Sequence, residues 1–311
     1  MWLDHASPED GYWRLKARPS RDESARLATL LEGHAALADA EFRRIAHRIR
    51  ASRILFVPAL FGGAALKASR LRLVDYLTDQ VRHLRDEGFE ADIAEIDTAE
   101  RVERNGARLA EIVEAHHRPT WVITHSKGGL DFLHALVERP EITRFIDGWI
   151  AFQAPFWGSP VADVACGSAR AGRISGRALN VIGRNLDLIA DLRTDHRAAY
   201  MDQRIAQVAA IARDVPVMCV ATTSGKALDR SWRPVWPTAR WMDRLGLKND
   251  GLVPVGSAVL PGARYVMLDD LVHGEVAARR VLSNRKYDHV DLLKALFALT
   301  VRGPSAPRMA A

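Results

Sequence analysis

The stretch Trp121-Val122-Ile123-Thr124-His125-Ser126-Lys127-Gly128-Gly129 passes from an apolar, β-branched run to a glycine-led helical pattern within two residues. It reads as a strand over residues 121–125 and a helix over 128–138, with Ser126 at the junction. A tight turn there projects the serine hydroxyl above the end of a sheet. Such a turn strains the serine backbone and crowds strand against helix, so small residues are expected two positions before and two after it. Gly128 meets that need and Thr124 does not. The first amides of the helix, beginning with Lys127 N–H, point toward any negative charge that develops at the hydroxyl. The competing reading is that Ser126 simply caps the helix.

Working outward, short apolar runs alternate with helical patterns on both sides of this junction. Strands are expected over 53–60, 89–96, 121–125, 145–153, 217–222 and 264–268, and helices over 71–85, 100–116 and 128–138. Alternation of this kind needs crossover connections and predicts a mostly parallel sheet with helices on both faces. Ligands of such sheets bind at the carboxyl ends of the strands. Before the first strand, Leu27, Leu30, Leu31, Leu37, Phe42, Ile45 and Ile49 recur at helical spacing, marking an amphipathic stretch broken near Gly33 and packed onto the main body. Two segments interrupt the rhythm after strand ends: a long helical interlude over 156–214, read as a cap, and an irregular stretch over 224–248 with Trp232, Trp236 and Trp241, read as a wall of the same pocket. The expected organisation is one domain over 1–311, with an extension (1–51), a core (52–155 and 215–311) and the cap between.

Composition limits the classes of function. The 311 residues are 48% hydrophobic and 26% charged with a net charge of +6, which suits a folded protein and excludes disorder as the main state. The longest nearly apolar stretch, 54–66, is far short of the roughly 20 residues that span a bilayer, so no stable membrane anchor is expected. Basic residues are interspersed with acidic ones and no nucleic-acid-binding signature is present, so no nucleic-acid partner is expected. Cys166 and Cys219 are too few for a disulfide framework or a paired-cysteine metal site, and a cytoplasmic location follows as the default.

A serine hydroxyl is a weak nucleophile at neutral pH unless an imidazole takes its proton and a carboxylate holds that imidazole's tautomer. Asp250, in Asn249-Asp250-Gly251, and His273 follow the last two expected strands. Asp229, Asp243, Asp269 and Asp270 remain alternative acids, and His196 and His289 alternative bases. The loop after the first core strand, Val57-Pro58-Ala59-Leu60-Phe61-Gly62-Gly63, is placed to offer a second backbone donor, assigned to Leu60 N–H with Phe61 as the near alternative.

Taken together, residues 57–63, 125–129, Ala154-Pro155-Phe156-Trp157-Gly158-Ser159-Pro160-Val161-Ala162-Asp163, 249–253 and His273 resemble the α/β-hydrolase superfamily, in particular bacterial triacylglycerol lipases and related esterases. The resemblance spans 52 to about 282. It implies an α/β-hydrolase fold whose catalytic residues run in the order Ser126, Asp250, His273, with the amides of Leu60 and Lys127 as oxyanion donors. It implies a serine hydrolase for carboxylic esters, with a small-molecule acyl ester or lipid as substrate and an acyl pocket near Phe61, Phe156 and Trp157. Acyl transfer, thioester cleavage and polyester depolymerisation use the same three residues, and a non-catalytic scaffold is the reading from another class.

The chain departs from these lipases at several points. Thr124 replaces a glycine, Pro58-Ala59 stands where His-Gly is frequent, and Gly256 stands where some secreted members carry a disulfide cysteine. Glu275 falls where they place a calcium ligand, but no second ligand accompanies it, so neither metal nor cofactor is expected. The Lys127 side chain is open to two readings, attraction of an acidic substrate group or an internal salt bridge.

Overall fold

The computed structural model describes residues 20–32, 36–60, 62, 75–167, 186–225, 235–279 and 287–301. Gly33, Phe61, residues 168–185, Asp229 and Trp232 lie outside them. In chain order the elements that matter here are β1 (Arg21–Asp22), α1 (Ser24–Glu32), α2 (Ala36–Arg50), β2 (Arg53–Val57), β3 (Asp75–Tyr76), α3 (Thr78–Asp86), β4 (Ala91–Ile93), α4 (Val102–His116), β5 (Thr120–His125), α5 (Lys127–Glu138), β6 (Ile146–Phe152), α6 (Pro160–Ala165), α7 (Leu186–Ala190), α8 (Thr194–Asp214), β7 (Val217–Thr223), α9 (Trp236–Arg244), β8 (Arg264–Asp269), β9 (Ala278–Arg279) and α10 (His289–Thr300).

Seven strands form one sheet in the order β1-β8-β7-β6-β5-β2-β4, and every neighbouring pair is parallel. Every residue of β2 and β5 is buried, the expected result for strands covered on both faces, and it explains why their sequences read as continuous apolar runs rather than as alternation. Alternation survives only in where the side chains go. Ile54 and Phe56 join a core with α1, α2, α3 and α10, while Leu55 and Val57 join the opposite core with α4, α5 and α8.

The expected strands are present with trimmed or shifted ends. The first stops at Val57 because Pro58 has no N–H for the ladder, and the second is reduced to Ala91–Ile93. Of the helix expected over 71–85, residues 71–74 lie outside the described residues and the described part runs Thr78–Asp86, since Tyr76 is in an antiparallel pairing with Ala278 and Leu77 has φ 60°. The amphipathic extension forms α1 and α2, whose buried Leu27, Phe42 and Ile49 share a core with Leu292, Leu296 and Phe297 of α10. The rings of Phe42 and Phe297 lie 5.7 Å apart. The stretch read as irregular contains α9, started by Pro237 and turning Thr238, Ala239 and Met242 inward, while Trp236 is 45% exposed. Cys166 and Cys219 are both free. Among the described residues no helix is long and apolar enough to cross a membrane.

Candidate active site

Ser126 is the single residue between β5 and α5, and it adopts φ 53°, ψ −123°. A side chain held in that region costs on the order of 1–3 kcal/mol, so the surroundings must hold it there. Ser126 N–H donates to Phe152 O at 2.8 Å, and Ser126 O accepts from Gly129 N–H at 2.9 Å. Gly128 lets α5 enter directly against the end of β2: a Cβ there would stand 2.6 Å from Pro58 O and 2.8 Å from Val57 O. Thr124, out of place by the small-residue rule, is accommodated by Gly129. Its buried hydroxyl accepts from Trp149 Nε1 at 3.0 Å, and a Cβ on Gly129 would come within 3.3 Å of that oxygen as well as striking Ala154.

The Ser126 hydroxyl lies 2.9 Å from His273 Nε2, and His273 Nδ1 lies 2.9 Å from Asp250 Oδ2. Backbone contacts lock the pair, since His273 N–H donates to Asp250 O at 2.8 Å. The other carboxylate oxygen of the buried Asp250 accepts from Leu252 N–H at 2.9 Å and Val253 N–H at 2.7 Å. A carboxylate that only accepts fixes the proton on Nδ1, which leaves Nε2 free to receive the serine proton. Three of the alternative acids and bases are engaged elsewhere, and Asp229 lies outside the described residues. Asp269 accepts from the Thr223 hydroxyl, Asp243 from the Asn249 amide, His289 pairs with Asp79, and the exposed His196 lies beside Ala190 O.

Two further residues support the site, and one of them, Gln153, carries no signal in the sequence. Gln153, at φ 49°, clamps the chain on both sides of His273: its Oε1 accepts from Gly274 N–H at 2.8 Å and its Nε2 donates to Val272 O at 3.2 Å. Asn249 shapes the acid turn, accepting from Gly251 N–H at 2.8 Å while its amide donates to Leu247 O at 2.8 Å. Glu275 accepts from Val272 N–H at 2.9 Å and so caps the histidine loop. Among the described residues no group of three His, Cys, Asp or Glu is placed to hold a metal ion.

Of the two expected backbone donors, Lys127 is the first residue of α5 and Leu60 lies in the loop after β2. Ala59 N–H is taken by the Tyr76 hydroxyl at 2.7 Å, which leaves Leu60 as the next amide along. Of the two readings of the Lys127 side chain, the internal salt bridge holds. It is fully buried, with Nζ 2.7 Å and 3.1 Å from the Asp131 carboxylate oxygens, and Asn105 donates to the same carboxylate at 3.0 Å. It therefore does not face a substrate. Phe156 and Trp157 are buried in the core as well: Phe156 meets Trp149 edge-on at 5.7 Å, and the Trp157 indole donates to Val259 O at 3.3 Å.

Burial pushes the Asp131 carboxyl up to about 6 despite Lys127 and Asn105, which favour its charge, so desolvation outweighs pairing. Folding thus favours the protonated carboxyl, and this group's contribution to stability declines as pH rises through about 6. Asp131→Leu alone is expected to cost about 3–5 kcal/mol, because it strands the Lys127 ammonium, whereas Lys127→Met with Asp131→Leu is expected to be neutral or stabilising. The double variant also loses the decline with pH. Urea unfolding at pH 5 and pH 8 measures both, and equal losses in the single and double variants would contradict the assignment.

A parallel sheet with a strained serine elbow after β5, an acid turn beyond β7 and a histidine turn after β8 is the α/β-hydrolase fold. Solved structures of that fold match the chain. A metagenomic carboxyl esterase is 19% identical, with 81% of this chain and 76% of that one covered and a TM-score of 0.64. The mature form of a Bacillus licheniformis lipase is 20% identical, covering 72% of this chain and 86% of that one at a TM-score of 0.57. Lipase 1 from Pelosinus fermentans is 12% identical, covering 82% of this chain and 100% of that one at a TM-score of 0.51. At these identities the similarity is one of fold. No family model matches the chain, and no curated protein matches it in sequence.

Proposed function

We propose that this protein is a serine hydrolase for carboxylic esters, with Ser126 as nucleophile, His273 as base and Asp250 as the acid that orients it. The observation that carries the reading is the unbroken chain from the Ser126 hydroxyl through both nitrogens of His273 to the Asp250 carboxylate, each link 2.9 Å. His273 Nε2 takes the hydroxyl proton as Oγ attacks the acyl carbonyl. The amides of Leu60 and Lys127 receive the oxyanion, and Asp250 stabilises the imidazolium. Collapse expels the alcohol, which takes the proton from His273 and leaves an acyl-enzyme. Water, deprotonated by the same histidine, then releases the acid and restores the serine.

The substrate in this reading is a small-molecule acyl ester or a lipid. In this reading Phe61, outside the described residues, lines the acyl pocket; Phe156 and Trp157 belong to the core, as does α8, so a cap is confined to the part of 156–214 before it. The free thiols of Cys166 and Cys219 support a reducing, cytoplasmic setting. A fluorophosphonate probe tests the chemistry directly, since it reacts with an activated serine whatever the natural ester. The wild-type protein is expected to be labelled, heat-denatured protein and Ser126→Ala are not, and an unlabelled native wild type would overturn the proposal.

A further inference from the structure

Tyr76 stands beneath the loop that carries Leu60. It is buried, its hydroxyl accepts from Ala59 N–H at 2.7 Å, and the loop closes so tightly that a Cβ on Gly62 would approach the Tyr76 ring to 3.2 Å. The same hydroxyl lies 3.0 Å from Nδ1 of His125, the residue immediately before Ser126. An oxygen that accepts from the Ala59 amide keeps a second lone pair and its own hydrogen, so it can bond to Nδ1 in either tautomer of His125. Burial keeps both groups neutral. It holds His125 well below the usual imidazole range, with the nearby charge of His273 acting in the same direction and Gln153 opposing, and it raises the Tyr76 phenol.

The His125 ring in turn faces the ring of His273, with centroids 5.2 Å apart and planes tilted by 33°, and the chain at Gly274 passes against its edge. One run of contacts therefore joins the loop of one proposed oxyanion donor to the proposed base: Ala59, Tyr76, His125, His273. None of these contacts is needed to build the sheet, because Tyr76 reaches the site from the short β3 pairing outside it.

We propose that Tyr76, acting through His125, is a positioning residue that withdraws the Ala59 amide from the site, presents Leu60 N–H to the oxyanion and holds the His273 ring in line with Ser126. The inference rests on the serine-hydrolase reading and extends it to residues that touch no reacting atom. Alignment of a donor with an oxyanion is realised only in the transition state, so its loss falls on kcat and spares KM.

Tyr76→Phe keeps the ring and deletes only the hydroxyl. It is expected to lower kcat on a short p-nitrophenyl ester by about 10- to 100-fold, less than the roughly 10²- to 10³-fold lost with a direct oxyanion donor, with KM within about twofold of wild type. The rate of fluorophosphonate labelling should fall in parallel while the final labelled fraction, which counts folded sites, stays the same. His125→Phe removes the acceptor from the same contact, and because the two side chains act as one unit, the double variant should lose no more than the larger single loss. Wild-type kcat in Tyr76→Phe, a loss confined to KM, or single losses that multiply would each overturn the inference. If His125→Phe does not fold, the kcat and labelling rate of Tyr76→Phe alone decide it. A wild-type protein that neither turns over esters nor takes the label sinks the underlying reading instead, so the two failures are distinct.

Discussion

Ser126→Ala is expected to lower kcat on any ester by about a millionfold, the scale seen when the nucleophile of a serine hydrolase is removed, and to leave unfolding close to wild type. The stability half follows from the contacts. The Ser126 side chain bonds to His273, while the elbow itself is held by the backbone bonds to Phe152 and Gly129, which alanine keeps. Alanine also keeps the Cβ, so the strain at φ 53° is unchanged. Turnover by an ester assay and a thermal melt on the same preparation check both halves. Residual kcat within tenfold of wild type would mean that the hydroxyl is not the nucleophile.

Asp250→Asn should cost about 10⁴-fold in kcat, although it changes one oxygen to nitrogen. The direction of error can be read from the partners. Leu252 N–H and Val253 N–H both donate to Oδ1, so an asparagine must put its carbonyl oxygen there and turn its NH₂ toward His273 Nδ1. A donor facing Nδ1 makes that nitrogen the acceptor and moves the proton to Nε2, where it faces Ser126 instead of receiving from it. Binding should be little affected, so KM stays near wild type. A loss below tenfold in kcat would show that another carboxylate does this work.

Features carried by local pattern were legible in the sequence. The central strands, the Ser126 turn and the placing of Asp250 and His273 after late strands all rest on a few adjacent residues or on the order of elements. What escaped depends on partners distant in the chain. Arg21–Asp22 forms a strand only because β8 offers it an edge, and its two exposed charged residues give no strand signal of their own. Gln153 and Tyr76 likewise look unremarkable in sequence, because what sets them apart is hydrogen bonds to loops that folding brings to them. Lys127 shows the same limit from the other side: its ambiguity is resolved by Asp131 one helical turn away and by complete burial, which no local pattern reveals.

The packing of α1 and α2 against α10 sets a condition on how the protein is made. Phe42 and Ile49 leave the ribosome long before Leu296 and Phe297, and at about 5–20 residues per second the early helices wait roughly 10–50 s for the surface that covers them. Throughout that interval their apolar faces are open to chaperones or to neighbouring nascent chains. The late helix α10 thus closes the core begun by α1 and α2, and stalled or truncated translation products lacking it should be the aggregation-prone species in cells expressing this protein.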